Sequence, residues 1–330
     1  MTRAQPKVTP PVSVLGVSVA PSRYHTRRTL VRDLLPYVAI APAFLTFVLL
    51  LGYPVLLLFL TSGQKFGLFE LFNNVTTYIG IDNYYDLLFK SPAGLPDFMT
   101  VLIRTVVFMV ANVVLTIALG TLVALLLAKL DKWVRIVLTS AMVLAWAMPV
   151  VTGAVLFQWL FDSKLGVVNW FISSTGIFGD YLNHSWFATG LSTFAVVTLL
   201  IVWQAIPFVA LSLYAGILSI PKELPEAARV DGAGEREIFS HITLPALRPL
   251  LMMLIFLSVI WDFKVFTQIY AIRGGGPDNE TITLSLYSQQ LGINQHQFGV
   301  AAAAAVIMMM LLLLVLVPYI RRMVKSQEEQ

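Results

Sequence analysis

Four residues in one apolar stretch have types and spacing suited to holding a polar solute. Ser258, Trp261, Asp262 and Val265 stand at i, i+3, i+4 and i+7, so on a helix they share one face. A carboxyl within a membrane span costs roughly 2.5–3.5 kcal/mol on insertion scales and normally faces a cavity or a partner. An indole supplies a flat apolar surface for the C–H side of a sugar ring, and a carboxylate accepts from its hydroxyls. Trp261 and Asp262 offer that pair, with Val265 only lining the wall. Lys264 falls on another face, and Gln268 lies one turn beyond it. The alternative is that Asp262 pairs with Lys264 or with a partner subunit, and that Trp261 anchors at the membrane interface.

The stretch around these residues must be lipid-embedded. The chain has 330 residues, 58% hydrophobic and only 12% charged, against about a quarter charged in soluble domains. It has no cysteine, which excludes disulfides, thiolate metal sites and cysteine nucleophiles. Its four histidines, His25, His184, His241 and His296, are too scattered for a metal motif. The net charge of +4 is carried beside apolar runs and forms no separate basic face, which argues against nucleic-acid binding.

Crossing about 30 Å of hydrocarbon takes about 20 apolar residues. Six segments qualify: residues 34–60, 105–128, 136–161, 189–220, 250–272 and 300–320. The expected fold is all-α, with six transmembrane helices. Sixteen basic residues fall in the two tails, the second-to-third connection (Lys129, Lys132, Arg135) and the fourth-to-fifth (Lys222, Arg229, Arg236, Arg248), against four in the other three loops. By the positive-inside rule both termini are cytoplasmic, as an even number of crossings requires. Residues 1–33 read as a flexible basic tail, 34–320 as the transmembrane domain and 321–330 as a short cytoplasmic tail. The start lacks the short apolar core and cleavage site of a signal peptide, so the first span is expected to remain as an anchor.

The cytoplasmic segment 221–249 contains IPKELPEAARVDGAGEREIFSHITLPALRP with its flanking Ile220 and Pro249. Pro225 suits the first turn of a helix, Glu226 suits its positive end, and Ala227 and Ala228 form helix with little bulk. Asp231-Gly232 signals a turn. Glu235 to Leu244 forms a second amphipathic stretch, with Ile238, Phe239 and Ile242 at helical spacing, and Pro245 is expected to end or bend it. The result is a helix–turn–helix on the membrane face, either packed on its own bundle or offered to something else.

Glu226-Ala227-Ala228, Gly232 and Ile242-x-Leu244-Pro245 resemble the EAA signature of bacterial ATP-binding-cassette importer permeases. The resemblance extends over nearly the whole chain beyond the tail, to the carbohydrate-uptake branch that includes maltose- and glycerol-phosphate-type permeases. It is carried by IGIDNYYDLL, GVVNWF, WQAIPF, YAGILSIPKEL, RGGGPDNETITLSLY and FGVAAAAAVI. Arg104 and Arg273 depart from the branch, and the large extracellular insertion of the enteric maltose permease is missing. The resemblance implies a coupling helix in which Glu226, Ala227, Ala228 and Gly232 dock on an ATPase and Asp231 helps set the turn. It also implies a substrate path that adds Trp203, Gln204 and Phe208 to Ser258, Trp261 and Asp262. The implied partners are a second homologous permease, two cytoplasmic ATPase subunits that hold ATP and magnesium, and an extracytoplasmic solute-binding protein. The chain itself binds no cofactor by this reading, and it has no G-x-x-x-x-G-K-[ST] phosphate loop. The rivals are an ion-coupled secondary transporter, whose mark would be paired intramembrane acids in broken spans, and an integral-membrane enzyme. Only Asp262 fits the first, and no catalytic cluster at a membrane boundary supports the second. Ala301–Ala305 reads as a close helix-packing face, Met308–Met310 as lipid or helix contact, and Gly274–Gly276 with Pro277 as an outer turn.

Overall fold

The computed structural model describes residues 25–177 and 179–328; most of the expected N-terminal tail and the last two residues of the C-terminal tail lie outside them. The chain divides into two units, residues 1–56 and 57–330.

The first unit holds α1 (His25–Phe47), a π turn (Val48–Gly52) and the start of α2 (Tyr53–Ser62), a helix that continues past the boundary. The π turn lies just ahead of Pro54, whose missing N–H leaves the carbonyl four residues back without its usual partner. Thr46 Oγ1 donates to Pro42 O at 2.8 Å. Pro36–Ser62 is long and apolar enough to cross a membrane.

The second unit holds a small cap and the bundle. The cap pairs β1 (Gln64–Lys65) antiparallel with β2 (Thr77–Tyr78), around α3 (Leu68–Asn73) and followed by α4 (Asp82–Phe89). Asn83 Nδ2 donates to Ser62 O and Gln64 O, both at 2.8 Å. The bundle begins with α5 (Phe98–Lys129), capped by Asp97, whose carboxylate accepts from Thr100 N at 2.8 Å. Its buried positions, Val101, Thr105, Phe108, Asn112, Thr116, Gly120, Ala124 and Leu127, recur every three or four residues and form one stripe.

The apolar run 136–161 is not one straight helix. It splits into α6 (Lys132–Trp146) and α7 (Val150–Leu160), bent by 102°. Pro149 is the cause: it has no N–H to continue the ladder, a proline disfavours helical backbone in the residue before it, and its own ψ of 136° turns the chain before α7 begins. Counting the bent pair as one span, the described residues contain six candidate spans; counting only unbroken helices, five.

After α8 (Val167–Thr175), α9 (Gly190–Leu218) runs along α5, α6 and α12. A Cβ at Gly120 would stand 2.6 Å from Val209 Cγ1, so α5 and α9 approach this closely only because residue 120 has no side chain. The segment 221–249, expected on the cytoplasmic side, forms α10 (Glu223–Val230) and α11 (Glu235–Ile238), then a π turn (Phe239–Thr243), and leads into α12 (Leu244–Phe263). Pro245 therefore does not end the second stretch. Leu244 N reaches Phe239 O, five residues back, and the widened turn carries the helix past the proline.

The expected span 250–272 is displaced toward α11: α12 stops at Phe263, and α13 (Thr267–Arg273) follows a break. Freed carbonyls near membrane depth need substitute donors. Thr283 Oγ1 donates to Val265 O at 3.2 Å, and Gln158 Nε2 to Ala271 O at 3.0 Å. α14 (Leu284–Gln289) and a π turn (Gln290–Asn294) precede α15 (Phe298–Glu328). Ala301–Ala304 are buried, and Ser288 Oγ donates to Ala301 O at 3.1 Å. One large apolar core joins parts of α5, α7, α9 and α13–α15; two smaller ones lie where α5 and α9 meet α12 and where they meet α6.

Candidate functional site

The segment 221–249 presents a helix, α10, with no buried residue. Glu226, Ala227, Asp231 and Gly232 are exposed along and just beyond α10, and Ala228 is half-buried. Leu224 is 53% and Val230 88% exposed, an apolar cost at a surface unless another body covers them. Asp231 closes the helix through its N–H to Ala227 O at 3.0 Å, and Ala233 N bonds Ala228 O at 2.9 Å. Gly232 has φ +87°, a left-handed conformation that strains residues carrying a Cβ. Gly234 N donates to Glu237 Oε2 at 2.8 Å, which fixes the start of α11. Farther on, Ile242 is half-buried in the π turn, whereas Leu244 and Pro245 are exposed where the helix leaves it. The turn thus holds α10 clear of the bundle, its small side chains uncovered.

Sequence reasoning passed over two residues here. Lys129, at the end of α5, lies 3.1 Å from Glu235 Oε2, and Arg229 Nη2 lies 3.1 Å from Glu235 Oε1. Opposite charges near a connection were visible, but nothing in the spacing joined residue 129 to residue 235.

Deeper in the bundle, a cleft of about 210 Å³ opens between the α6–α7 bend, α9 and α12; Trp146, Gln204, Trp261, Asp262 and Gln268 line it with apolar neighbours. Phe208 links two of its indoles: its ring stacks on Trp146 at 6.2 Å and meets Trp261 at 5.4 Å. Gly153 leaves room for the Gln204 amide, since a Cβ there would stand 3.0 Å from Nε2. Trp261 is 40% exposed and Asp262 only 7%. Among the described residues no ion pair joins Asp262 to Lys264, which is exposed.

Of the six residues expected on the solute path, Gln204, Trp261 and Asp262 line this cleft, and Phe208 backs its aromatic wall. Trp203 turns into the core, 5.7 Å from the Phe157 ring. Ser258 is buried one turn from Asp262 and does not line the cleft. Val265 lines it although the helix ends at Phe263. Trp146 was not anticipated; the signal available was an aromatic three residues before Pro149 inside an apolar run.

The described residues thus form a bundle of apolar helices with an exposed helix–turn–helix on one face and a mixed polar and aromatic cleft inside. Residues 117–326 match the binding-protein-dependent transport system inner membrane component family, and the chain belongs to it. It is 43% identical over 297 residues to the diacetylchitobiose uptake system permease protein of Streptomyces coelicolor, covering 90% of this chain and 89% of that one. It is 32% identical to the trehalose/maltose transport system permease protein of Thermococcus litoralis, over 67% of this chain and 70% of the other. A bacterial ABC transporter that imports the acidic polysaccharide alginate has the same fold, with a TM-score of 0.74 at 22% identity, over 89% of this chain and 96% of that one.

Proposed function

We propose that the chain is the permease subunit of an ATP-binding-cassette importer that carries an oligosaccharide across the cytoplasmic membrane. The observation that carries this reading is the 43% identity, over nine-tenths of the chain, to a permease named for diacetylchitobiose uptake. Both termini face the cytoplasm. A second, homologous permease completes the pore, and two cytoplasmic ATPase subunits bind and hydrolyse the nucleotide. An extracytoplasmic binding protein delivers the solute; the alginate transporter, which shares the fold, has been crystallised with an alginate pentasaccharide-bound periplasmic protein.

Mechanically, α10 is the part the ATPase grips. Ala227 and Ala228 let a foreign surface approach the backbone, Glu226 supplies a charge at the rim, and Asp231 with Gly232 sets the angle of the turn. Ile242, Leu244 and Pro245 connect that turn to α12. Closure of the ATPase pair displaces the segment, and the spans rock between inward- and outward-open states as packed bodies. In the cleft, Trp261 offers its ring face to a pyranose, while Asp262 and Gln204 bond its hydroxyls. Phe208 holds the indole in place, and Ser258 and Trp203 support α12 and α9 from behind.

The test is uptake of labelled diacetylchitobiose by the complex in proteoliposomes. Wild type is expected to accumulate it only with ATP inside. Glu226→Lys combined with Gly232→Asp should abolish uptake and release the ATPase. Unimpaired uptake in the double variant would refute the docking role.

A further inference from the structure

Few contacts fix α10 to the rest of the chain. It buries no side chain, and its covalent links are the turn at Gly232 and the short stretch from α9. Among the described residues, both ion pairs on this side of the bundle converge on one carboxylate. Glu235 Oε1 accepts from Arg229 Nε and Nη2 at 3.2 and 3.1 Å, and Oε2 lies 3.1 Å from Lys129 Nζ. Arg229 sits in the last turn of α10, Lys129 ends α5, and Glu235 opens the helical run that continues into α12. One side chain thus ties the last turn of α10 and the start of α11 to the end of α5, about a hundred residues earlier in the chain.

The end of α5 at this node is itself held. Arg135 Nε donates to Leu127 O at 2.9 Å and its Nη2 to Leu130 O, satisfying carbonyls that the helix terminus leaves open. Its guanidinium lies 5.6 Å over the Tyr214 ring of α9. At the other end, α5 grips the outer loop. Arg104 Nη1 donates to Asn279 O at 2.9 Å, and Thr105 Oγ1 accepts from Leu284 N at 2.9 Å. Glu280 in the same loop accepts from Gly190 N, at the start of α9, at 2.6 Å. Over 32 residues, about 48 Å at about 1.5 Å per residue, a single helix holds the docking segment at one end and the outer loop at the other.

We infer that Glu235 with Lys129 is the joint through which displacement of the docking segment reaches α5, and through α5 the loop around Asn279. The inference rests on reading 221–249 as the ATPase-docking segment. Glu235 is a positioning residue in this account and touches no solute. An exposed ion pair contributes little to stability, so its loss should show in coupling between sites rather than in folding. Coupling must itself be measured before a route through the protein is accepted.

The experiment measures diacetylchitobiose transported per ATP hydrolysed by the full complex, with copurifying ATPase quantified in the same preparations. Lys129→Glu, which sets two carboxylates face to face, should lower the ratio roughly two- to fivefold, the range an exposed pair supports. Lys129→Arg should keep it. Because the chain has no cysteine, Lys129→Cys with Glu235→Cys can be bridged selectively by a short bis-maleimide. The unbridged pair should be poorly coupled, and bridging should restore the ratio. Normal ATPase binding with an unchanged ratio in Lys129→Glu would overturn the joint alone, as would a bridge that arrests transport or fails to restore the ratio. A wild-type complex that retains no ATPase would overturn the docking reading and this inference with it.

Discussion

At Gly120 the approach of two long spans depends on a missing side chain. With Val209 Cγ1 only 2.6 Å from the place a Cβ would take, Gly120→Val should destabilise the bundle by about 1–3 kcal/mol, the usual cost of overpacking. Thermal unfolding in detergent measures it, and an unchanged midpoint would contradict the packing described. The two indoles of the solute reading separate by the same logic. Trp261, partly exposed on the cleft, should act on affinity: Trp261→Ala is expected to raise the half-saturating saccharide concentration roughly two- to tenfold, in line with the value of an aromatic contact. Trp203, packed on Phe157, should act on stability: Trp203→Ala lowers the melting temperature and leaves half-saturation nearly unchanged. The reverse pattern would exchange their roles. From sequence the two look alike, since each is an aromatic beside a polar residue in an apolar run. Which way each ring turns is decided by helix packing. Asp262 was the more legible residue because a carboxyl in an apolar span is costly wherever it points.

Elements were legible where one physical rule dominates. A bilayer demands long apolar runs, so the positions of the runs that became α5, α9 and α15 could be read directly, and their ends were less certain because caps, not hydropathy, set them. Asp97 illustrates this, since it starts α5 seven residues before the apolar run at Thr105. Its carboxyl is held below its ordinary value by the hydrogen bond from the Thr100 backbone N–H and then by the Thr100 hydroxyl. A lowered folded pKa means the cap contributes fully above the unfolded value, near pH 4, and is lost as pH falls through the lower folded value. Protection of the Thr100 amide, taken relative to its intrinsic exchange at each pH, should therefore fall at the acid end of that window in wild type and be lost throughout in Asp97→Ala. Equal exchange in the two proteins would rule out the cap. Apolar counting missed the α6–α7 bend because Pro149 removes one hydrogen bond without interrupting the run. It also missed the passage through Pro245, where a π turn absorbs what the proline cannot donate. Neither effect is written in hydropathy; both depend on how the freed carbonyls find other partners.

For the molecule as a whole, the number of crossings and the excess of Lys and Arg in alternate connections make one topology the natural reading. In the proposed function the EAA-like residues form the docking surface on its cytoplasmic side. The pairing of Lys129 with Glu235 and the hold of Arg104 on Asn279 were invisible in sequence, because they join positions more than a hundred residues apart. In the mechanism we propose they matter most, since a transporter driven from one face must move its other face. The claim beneath all of this is that an external nucleotide cycle works the docking segment. Saccharide uptake into proteoliposomes, compared with and without the ATPase subunits, tests it most directly. ATP-dependent accumulation that vanishes when the ATPase is omitted is the predicted result. Accumulation that persists without it, driven by an ion gradient, would contradict the account.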